Sequence, residues 1–158
     1  ETIRSLMFDP GGNLWAGTSR YGIIILDQSN KITGHLFKKF NGVTGSFPSN
    51  WINSMCTDQS GNIWVATLQG FCKVNPATRH ITSFSTDTIL APVCSLFTKI
   101  LWFDRTGRLW IGNPRGAWCY DPAGNTLKHY STDNGLLNNN VLAFNEDLEN
   151  NIYIGCLF

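Results

Sequence analysis

Four carboxylates of this chain recur at one point of a repeated phrase, and they are the first candidates for chemistry. Asp9, Asp58, Asp104 and Asp147 each precede a tight turn that leads to an aromatic residue. Glycoside hydrolysis needs two carboxylates at a set separation, and EF-hand calcium loops need several acidic ligands with a distal Glu. Each turn here supplies a single Asp. We therefore interpret these carboxylates as turn caps and predict no catalytic residue, no metal site and no cofactor.

The cysteines and histidines do not form a reactive or metal-binding motif either. The chain has 5 Cys and 3 His. No two cysteines make the C-x-x-C pair that is typical of zinc ligation. Most cysteines stand inside apolar segments, so we expect buried free thiols that pack as small hydrophobes, with one disulfide or a reactive thiol as the alternative. His35, His80 and His129 occupy unrelated repeat positions, and we expect them on strand surfaces.

The elements that hold the four aspartates are strands of an internal repeat. The phrase covers residues 9–15, 58–64, 104–110 and 147–153, and it ends on Trp15, Trp64, Trp110 and Tyr153. The intervals between these aromatic residues are 49, 46 and 43 residues. Strand-like repeats of roughly 40–50 residues are the signature of a β-propeller with one four-stranded blade per repeat. We predict an all-β chain, a β-propeller fragment of about three and a half four-stranded blades.

Each predicted blade has the same parts. An apolar strand leads to the Asp, and the next strand carries the aromatic residue, which we expect to pack between blades. A third and a fourth strand follow, the fourth with aromatic residues such as Phe37 and Phe40, and a loop such as residues 45–50 returns to the next blade. The loop over residues 86–97 is longer and predicts an irregular or inserted feature. No helix of useful length is predicted.

The predicted domain boundaries follow from this pattern. Blade 1 covers residues 1–50, blade 2 with a long linker covers 51–96, blade 3 covers 97–139, and 140–158 form the first half of blade 4. Closed propellers need about four to eight blades. We therefore expect the chain to be a segment of a larger protein.

The composition excludes some classes of partner. Hydrophobic residues make up 42% and charged residues 15% of the chain, and the formal net charge is +1. Globular domains usually carry about 25% charged residues. Low charge suits closely stacked sheets, and the absence of a basic run argues against nucleic acid or an anionic membrane surface as a partner.

The repeat resembles the two-component regulator propeller repeat. Residues 58–67 fit the pattern D-x-x-G-N-[LI]-W-[IVA]-[GA]-T fully, and residues 9–18 fit it closely. The sequence departs from it at Asn113 and Cys156, which replace Thr, and at Tyr153, which replaces Trp. The resemblance covers essentially the whole chain.

The resemblance implies a sensory role. Such repeats typically form the periplasmic part of inner-membrane sensor histidine kinases, often hybrid proteins with a fused response regulator that act in a phosphorelay in Bacteroides-type bacteria. Their signals are often oligosaccharides. On this basis we expect an oligosaccharide signal, the remaining blades of the parent sensor and a homo-oligomer as partners. Kinase and receiver segments are absent from these 158 residues, so we expect no enzymatic activity from the segment itself.

A ligand would sit on the loops at one end of the blades. In propellers the loops between strands two and three and between blades share one face, and loops on a rigid scaffold often carry binding. That face would present Arg20, Tyr21, Gln69, Arg115 and Trp51. Residues 138–140 would join them. Arg and Tyr together suit a polar sugar, including an anionic one, whereas the alternative is that these charges are merely solvated.

Two other functions stay open from the sequence. A propeller enzyme that acts on polysaccharides would need a carboxylate pair or a catalytic His on further blades. A protein-interaction scaffold would bind no small molecule. Unpaired sheet edges and exposed faces between blades predict that the segment either self-associates or is ordered only as part of a larger protein.

Overall fold

The computed structural model describes residues 1–38 and 47–157, which form antiparallel β-sheets joined by short turns. Phe40 and Gly45, for which the sequence predicts an outer-strand and a linker role, lie outside the described residues. The first sheet pairs its strands in chain order. Its strands are β1 (Ile3–Phe8), β2 (Leu14–Thr18), β3 (Ile23–Leu26) and β4 (Ile32–Leu36).

The second and third sheets repeat this order. The second contains β5 (Ile52–Thr57), β6 (Ile63–Thr67), β7 (Gly70–Val74) and β8 (Ile81–Thr82). The third contains β9 (Ile100–Phe103), β10 (Leu109–Asn113), β11 (Gly116–Asp121) and β12 (Thr126–Tyr130). A final pair consists of β13 (Val141–Glu146) and β14 (Ile152–Cys156). The predicted all-β propeller fragment of about three and a half blades is confirmed.

The long linker of the second blade differs from the strand pattern. Its fourth strand, β8, has only 2 residues, and the chain then forms the short helix α1 (Ala91–Cys94), which the sequence analysis did not predict. Pro92 near the start of α1 already has the φ angle that a helix requires. Phe84 and Leu90, which follow β8, are buried. A 3-10 turn, Thr132–Asn134, closes the third blade.

The core consists of layers between neighbouring sheets. In the first layer, Trp15 and Ile25 of the first sheet pack with Ile52, Met55 and Val65 of the second. Strands β6 and β10 are buried at every position because sheets cover both of their faces, whereas β14 alternates between half-buried and exposed. Continuous burial on both faces explains the low charge of the sequence.

The first strands of successive sheets lie side by side, so β1, β5, β9 and β13 form the inner edge of the arc. A glycine permits one of the close approaches between blades. A Cβ atom added at Gly17 would lie only 2.6 Å from Cγ2 of Ile52 in the next sheet. In each blade the first strand begins at one end of the blade and runs to the Asp turn at the other end.

Candidate functional site

The four repeat carboxylates lie in the turns between the first and second strands, and each one holds the second strand by two kinds of bond. Asp58 shows the arrangement: Oδ1 accepts the backbone N–H groups of Ser60 and Asn62 at 3.0 and 2.9 Å. Its Oδ2 accepts the indole N–H of Trp64 at 2.9 Å. The corresponding contacts of Trp15, Trp110 and Tyr153 with Asp9, Asp104 and Asp147 measure 2.9, 2.9 and 3.0 Å.

These bonds also affect protonation. Burial of Asp104 acts to raise its pKa, but hydrogen bonds from Trp110, Thr106 and Arg108 outweigh burial and hold the pKa below the ordinary value of 3.8. Asp9 has a lowered pKa for the same combination of reasons. A carboxyl that stays ionised and uses both oxygens to hold a turn is poorly suited to donate or accept a proton in catalysis. The geometry of these residues is therefore that of turn caps.

The opposite end of the first strands carries a repeated β-bulge. The strand register shifts between Ile3 and Ser5 and again between Ile52 and Ser54. An extra residue in a bulge is left unpaired, and bulges are over-represented beside active sites because they re-aim a side chain. The extra residues here are Arg4 and Asn53, and a third shift leaves Leu142 at the same place in β13.

Lys99 occupies the matching position of the third blade. It stands five residues before its repeat Asp, as Arg4 and Asn53 do. Its backbone N–H donates to Gly112 O at 2.9 Å, and Gly112 also pairs with Ile100. Three blades therefore present a polar residue at one position of the inner edge.

These residues contact one another across the blades. The guanidinium carbon of Arg4 lies 5.2 Å from the ring centroid of Trp51. The Trp51 indole N–H donates to Asn53 Oδ1 at 3.0 Å, and Asn53 Nδ2 donates to the carbonyl of Thr98 at 2.8 Å. Lys99 then donates to Asn140 Oδ1. We call Arg4, Trp51, Asn53, Lys99 and Asn140 the inner rim.

The inner rim combines groups that suit a polar, partly apolar ligand. The Trp51 side chain is 37% exposed. Its ring can stack on an apolar ligand face, and the amides and cations beside it can bond to polar groups. The cations have uncharged neighbours, since among the described residues the ion pairs are Arg105 with Glu146 and Arg108 with Asp104, both at the other end of the blades.

Of the residues that the sequence proposed for binding, the structure brings Trp51 and Gln69 close together. The N–H of Leu68 donates to the carbonyl of Trp51 at 3.1 Å, so the turn that carries Gln69 adjoins the inner rim. Gln69 Oε1 in turn accepts from Lys38 Nζ at 2.9 Å.

The other proposed residues stay on their own blades. Arg20 is exposed, and its backbone N–H donates to Glu1 Oε1 at 2.9 Å. Tyr21 beside it is 57% exposed. Arg115 is exposed on the third blade, and its backbone N–H donates to Asn113 Oδ1 at 2.7 Å. No hydrogen bond within residues 1–38 and 47–157 joins Arg20 to Arg115.

Sequence reasoning overlooked Arg4, Asn53 and Lys99. The available signal was a polar residue five positions before the repeat Asp, inside a strand that is otherwise largely apolar. At Arg4 and Asn53 a bulge explains this exception to the apolar pattern, because the extra residue leaves the pairing of the strand.

A cleft of about 500 Å³ separates the second and third blades at the Asp-turn end. Its lining includes Trp64, Phe84, Tyr120, Asp87 and Asp121. Burial, and then the charges of the two aspartates, raise the pKa of Tyr120. Both aspartates hold local turns through backbone N–H groups, Asp87 at 2.8 and 2.7 Å and Asp121 at 2.9 and 3.3 Å. The cleft is therefore lined by groups that already serve the fold.

The thiols are free, and several are deeply buried. Burial raises the pKa of Cys72, and it raises that of Cys119 to about 11. In the part of the chain that the structure describes, no three His, Cys, Asp or Glu side chains cluster in a way that could hold a metal ion. Over the same residues, no helix has the length and apolar character needed to cross a membrane.

Comparison with known proteins places one repeat in a family. Residues 46–69 match the family model described as Two component regulator propeller. A search of curated proteins found no match.

Solved structures share the fold of nearly the whole chain. The extracellular domain of the putative hybrid two component system BT3049 from B. thetaiotaomicron is 22% identical with a TM-score of 0.76, over 97% of this chain and 20% of that one. The corresponding domain of BT4673 from the same organism is 21% identical with a TM-score of 0.77, over 98% and 22%. The chain thus spans about a fifth of these neighbours.

An enzyme has the same architecture. Virginiamycin B lyase from Staphylococcus aureus, solved with quinupristin, is 9% identical with a TM-score of 0.66, over 96% of this chain and 48% of that one. The fold alone therefore does not separate sensors from enzymes. Residues 46–69 thus match the two-component regulator propeller repeat, and the chain shares the propeller fold of the extracellular domains of putative hybrid two-component systems.

Proposed function

We propose that this chain is a ligand-sensing, extracytoplasmic propeller segment of a hybrid two-component system sensor histidine kinase, and that its signal is an oligosaccharide bound at the inner rim. The family match of residues 46–69 and the likeness to sensor extracellular domains support the sensor role. In such a protein the segment lies in the periplasm as part of an inner-membrane sensor.

The partial exposure of Trp51 is the main observation that supports a saccharide as the ligand. Sugars present an apolar C–H face and a ring of hydroxyl groups. Trp51 offers an aromatic surface, Asn53 beside it offers an amide, and Asn140 adds a second amide further along the rim, next to Lys99. Sites of this kind combine an aromatic surface with a few convergent polar groups.

The position of the rim also suits signal transmission. Trp51 contacts Arg4 of the first blade, and Asn53 contacts the start of the third. A ligand that spans these contacts stabilises one packing of the blades over another, and only such differential binding shifts a conformational equilibrium.

The segment itself is proposed to have no enzymatic activity. The repeat aspartates hold turns, and the cleft aspartates Asp87 and Asp121 do the same. The lyase with this fold keeps the enzyme alternative worth testing.

Calorimetric titration of the chain with plant and host oligosaccharides tests the proposal. We expect saturable binding that weakens at least about tenfold in Trp51→Ala, because the stacking surface is lost. Leu137→Ala is the matched control, since Leu137 is 91% exposed in a loop at the same end of the blades, outside the inner rim. Product release from a polysaccharide would favour the enzyme. Absence of both binding and turnover would favour a scaffold.

A further inference from the structure

Charges separate between the two ends of the blades, although the net charge of the chain is only +1. The end that carries the inner rim has five described cations and two acids: Arg4, Arg20, Lys38, Lys99 and Arg115 against Glu1 and Asp133. The Asp-turn end carries the other acids: Asp9, Asp27, Asp58, Asp87, Asp104, Asp121, Glu146, Asp147 and Glu149. The rim end is therefore a positive surface on a nearly neutral chain.

The acids at the Asp-turn end already have hydrogen-bond or ionic partners, whereas the partners of the rim cations Arg4 and Lys99 are uncharged. Asp104 accepts from Arg108 Nε at 2.6 Å, and Glu146 Oε2 lies 4.0 Å from Arg105 Nε. Arg4 faces the Trp51 ring, and Lys99 donates to the amide oxygen of Asn140. A cation beside an aromatic ring or an amide keeps its charge available for an anion.

The fold places the two cations on the two blades that flank the blade of Trp51. Arg4 stands in the bulge of the first blade, and Lys99 holds the matching position of the third blade, five residues before its repeat Asp. Trp51 and Asn53 of the second blade lie between them, joined by the contacts described above. A saccharide bound at the inner rim therefore lies between a blade that carries a guanidinium and a blade that carries an ammonium.

We propose that the inner rim selects acidic saccharides, that is, oligosaccharides with carboxylate or sulfate groups. This inference rests on the proposed function and names the ligand class of the same site. The Arg4 guanidinium matches the planar geometry of a carboxylate and can bind it with two parallel hydrogen bonds. Lys99 acts as a point charge: on binding, its ammonium group leaves Asn140 Oδ1 and donates to the anion instead.

Matched ligands test the charge itself. The chain is titrated with fractionated digests of polygalacturonate and of chondroitin sulfate, and with the same digests after carboxyl reduction and desulfation. We expect carboxyl reduction or desulfation to lower the affinity of the digest that binds by at least about tenfold. We also expect the affinity of the untreated acidic digest to fall as salt screens the charges of the rim. Equal or tighter binding of the neutralised digests would overturn the inference while leaving the proposed function intact.

Matched variants test the residues. Arg4→Gln and Lys99→Gln should each abolish most of the preference for the acidic ligand. Lys99→Arg should keep the preference, whereas Arg4→Lys should keep only part of it, because the charge remains but the two parallel hydrogen bonds are lost. Lys31→Gln is the control, because it removes one positive charge from an exposed turn at the other end of the blades. A preference that survives both glutamine variants would place the acidic site elsewhere and overturn the inference. Binding of neutral oligosaccharides alone would overturn it too, whereas binding of no saccharide at all would also remove the proposed function.

Discussion

At the scale of single residues, one aspartate per blade performs two structural tasks. In the second blade, Asp58 accepts backbone N–H groups at the corner of the turn and the indole N–H of Trp64. The corner residue, Gly61, has a φ angle of 79°, which a residue with a side chain rarely adopts. The spacing of Asp, Gly and Trp is therefore set by hydrogen-bond geometry.

Removal of one such carboxylate should be costly. Asp58→Ala leaves the indole N–H of Trp64 and two backbone N–H groups without an acceptor, and we expect a loss of about 3 kcal/mol in the free energy of unfolding. Asp58→Asn keeps a carbonyl acceptor and should lose less. Urea denaturation measures both, with the exposed Asp133→Ala as control. A loss in Asp58→Ala no larger than in this control would contradict the double role.

The lowered pKa of Asp104 predicts a pH dependence. Because the folded-state pKa lies below the unfolded value, the carboxylate stabilises the fold fully above about pH 4. This stabilisation disappears as the pH falls through the lower folded-state pKa. Unfolding free energies measured from about pH 6 down to about pH 2 should therefore fall less steeply in Asp104→Asn than in the unaltered chain. Equal slopes would show that Asp104 does not contribute.

At the scale of elements, much of the blade could be predicted from sequence because strand periodicity and turn chemistry are local. The Asp turns and most strand positions could be predicted from residues that are close to them in sequence. The length of the loop over residues 86–97 predicted an irregular feature, but its form could not be predicted, because buried residues such as Phe84 and Leu90 are held by tertiary packing. The inner rim needed knowledge of a bulge, which depends on pairing between strands.

Close packing of neighbouring sheets gives an element-scale prediction. Gly17→Ala would place a Cβ atom 2.6 Å from Cγ2 of Ile52, so Ile52 or the strand that carries it must shift, and we expect a loss of about 1–3 kcal/mol in the free energy of unfolding. Gly124→Ala is the matched control, because its Cβ atom would lie at an ordinary 3.5 Å from Asp121. Thermal unfolding compares the two. Similar stabilities would mean that the approach of the blades tolerates a methyl group.

At the scale of the whole molecule, the outer sheets expose apolar side chains. On β1, Leu6 and Phe8 are 60% and 68% exposed. We predict that the chain self-associates, and that Leu6→Gln combined with Phe8→Gln weakens the association by removing this apolar surface. Sedimentation velocity checks both, with Leu148→Gln in an exposed turn as control. If the unaltered chain is monomeric at every concentration tested, the prediction is wrong.

The indole N–H groups provide the most direct test of the central claim, that a saccharide binds at the inner rim. The chain has 6 Trp, and Trp15, Trp64 and Trp110 are bound to aspartates at the far end of the blades. Trp51 alone among the described indoles donates to a residue of the rim, Asn53. In an NMR titration with acidic and neutral oligosaccharides, we predict a saturable shift of the Trp51 indole resonance while those three stay in place. A titration in which no resonance moves, or in which the far-end indoles move and Trp51 does not, would contradict the claim.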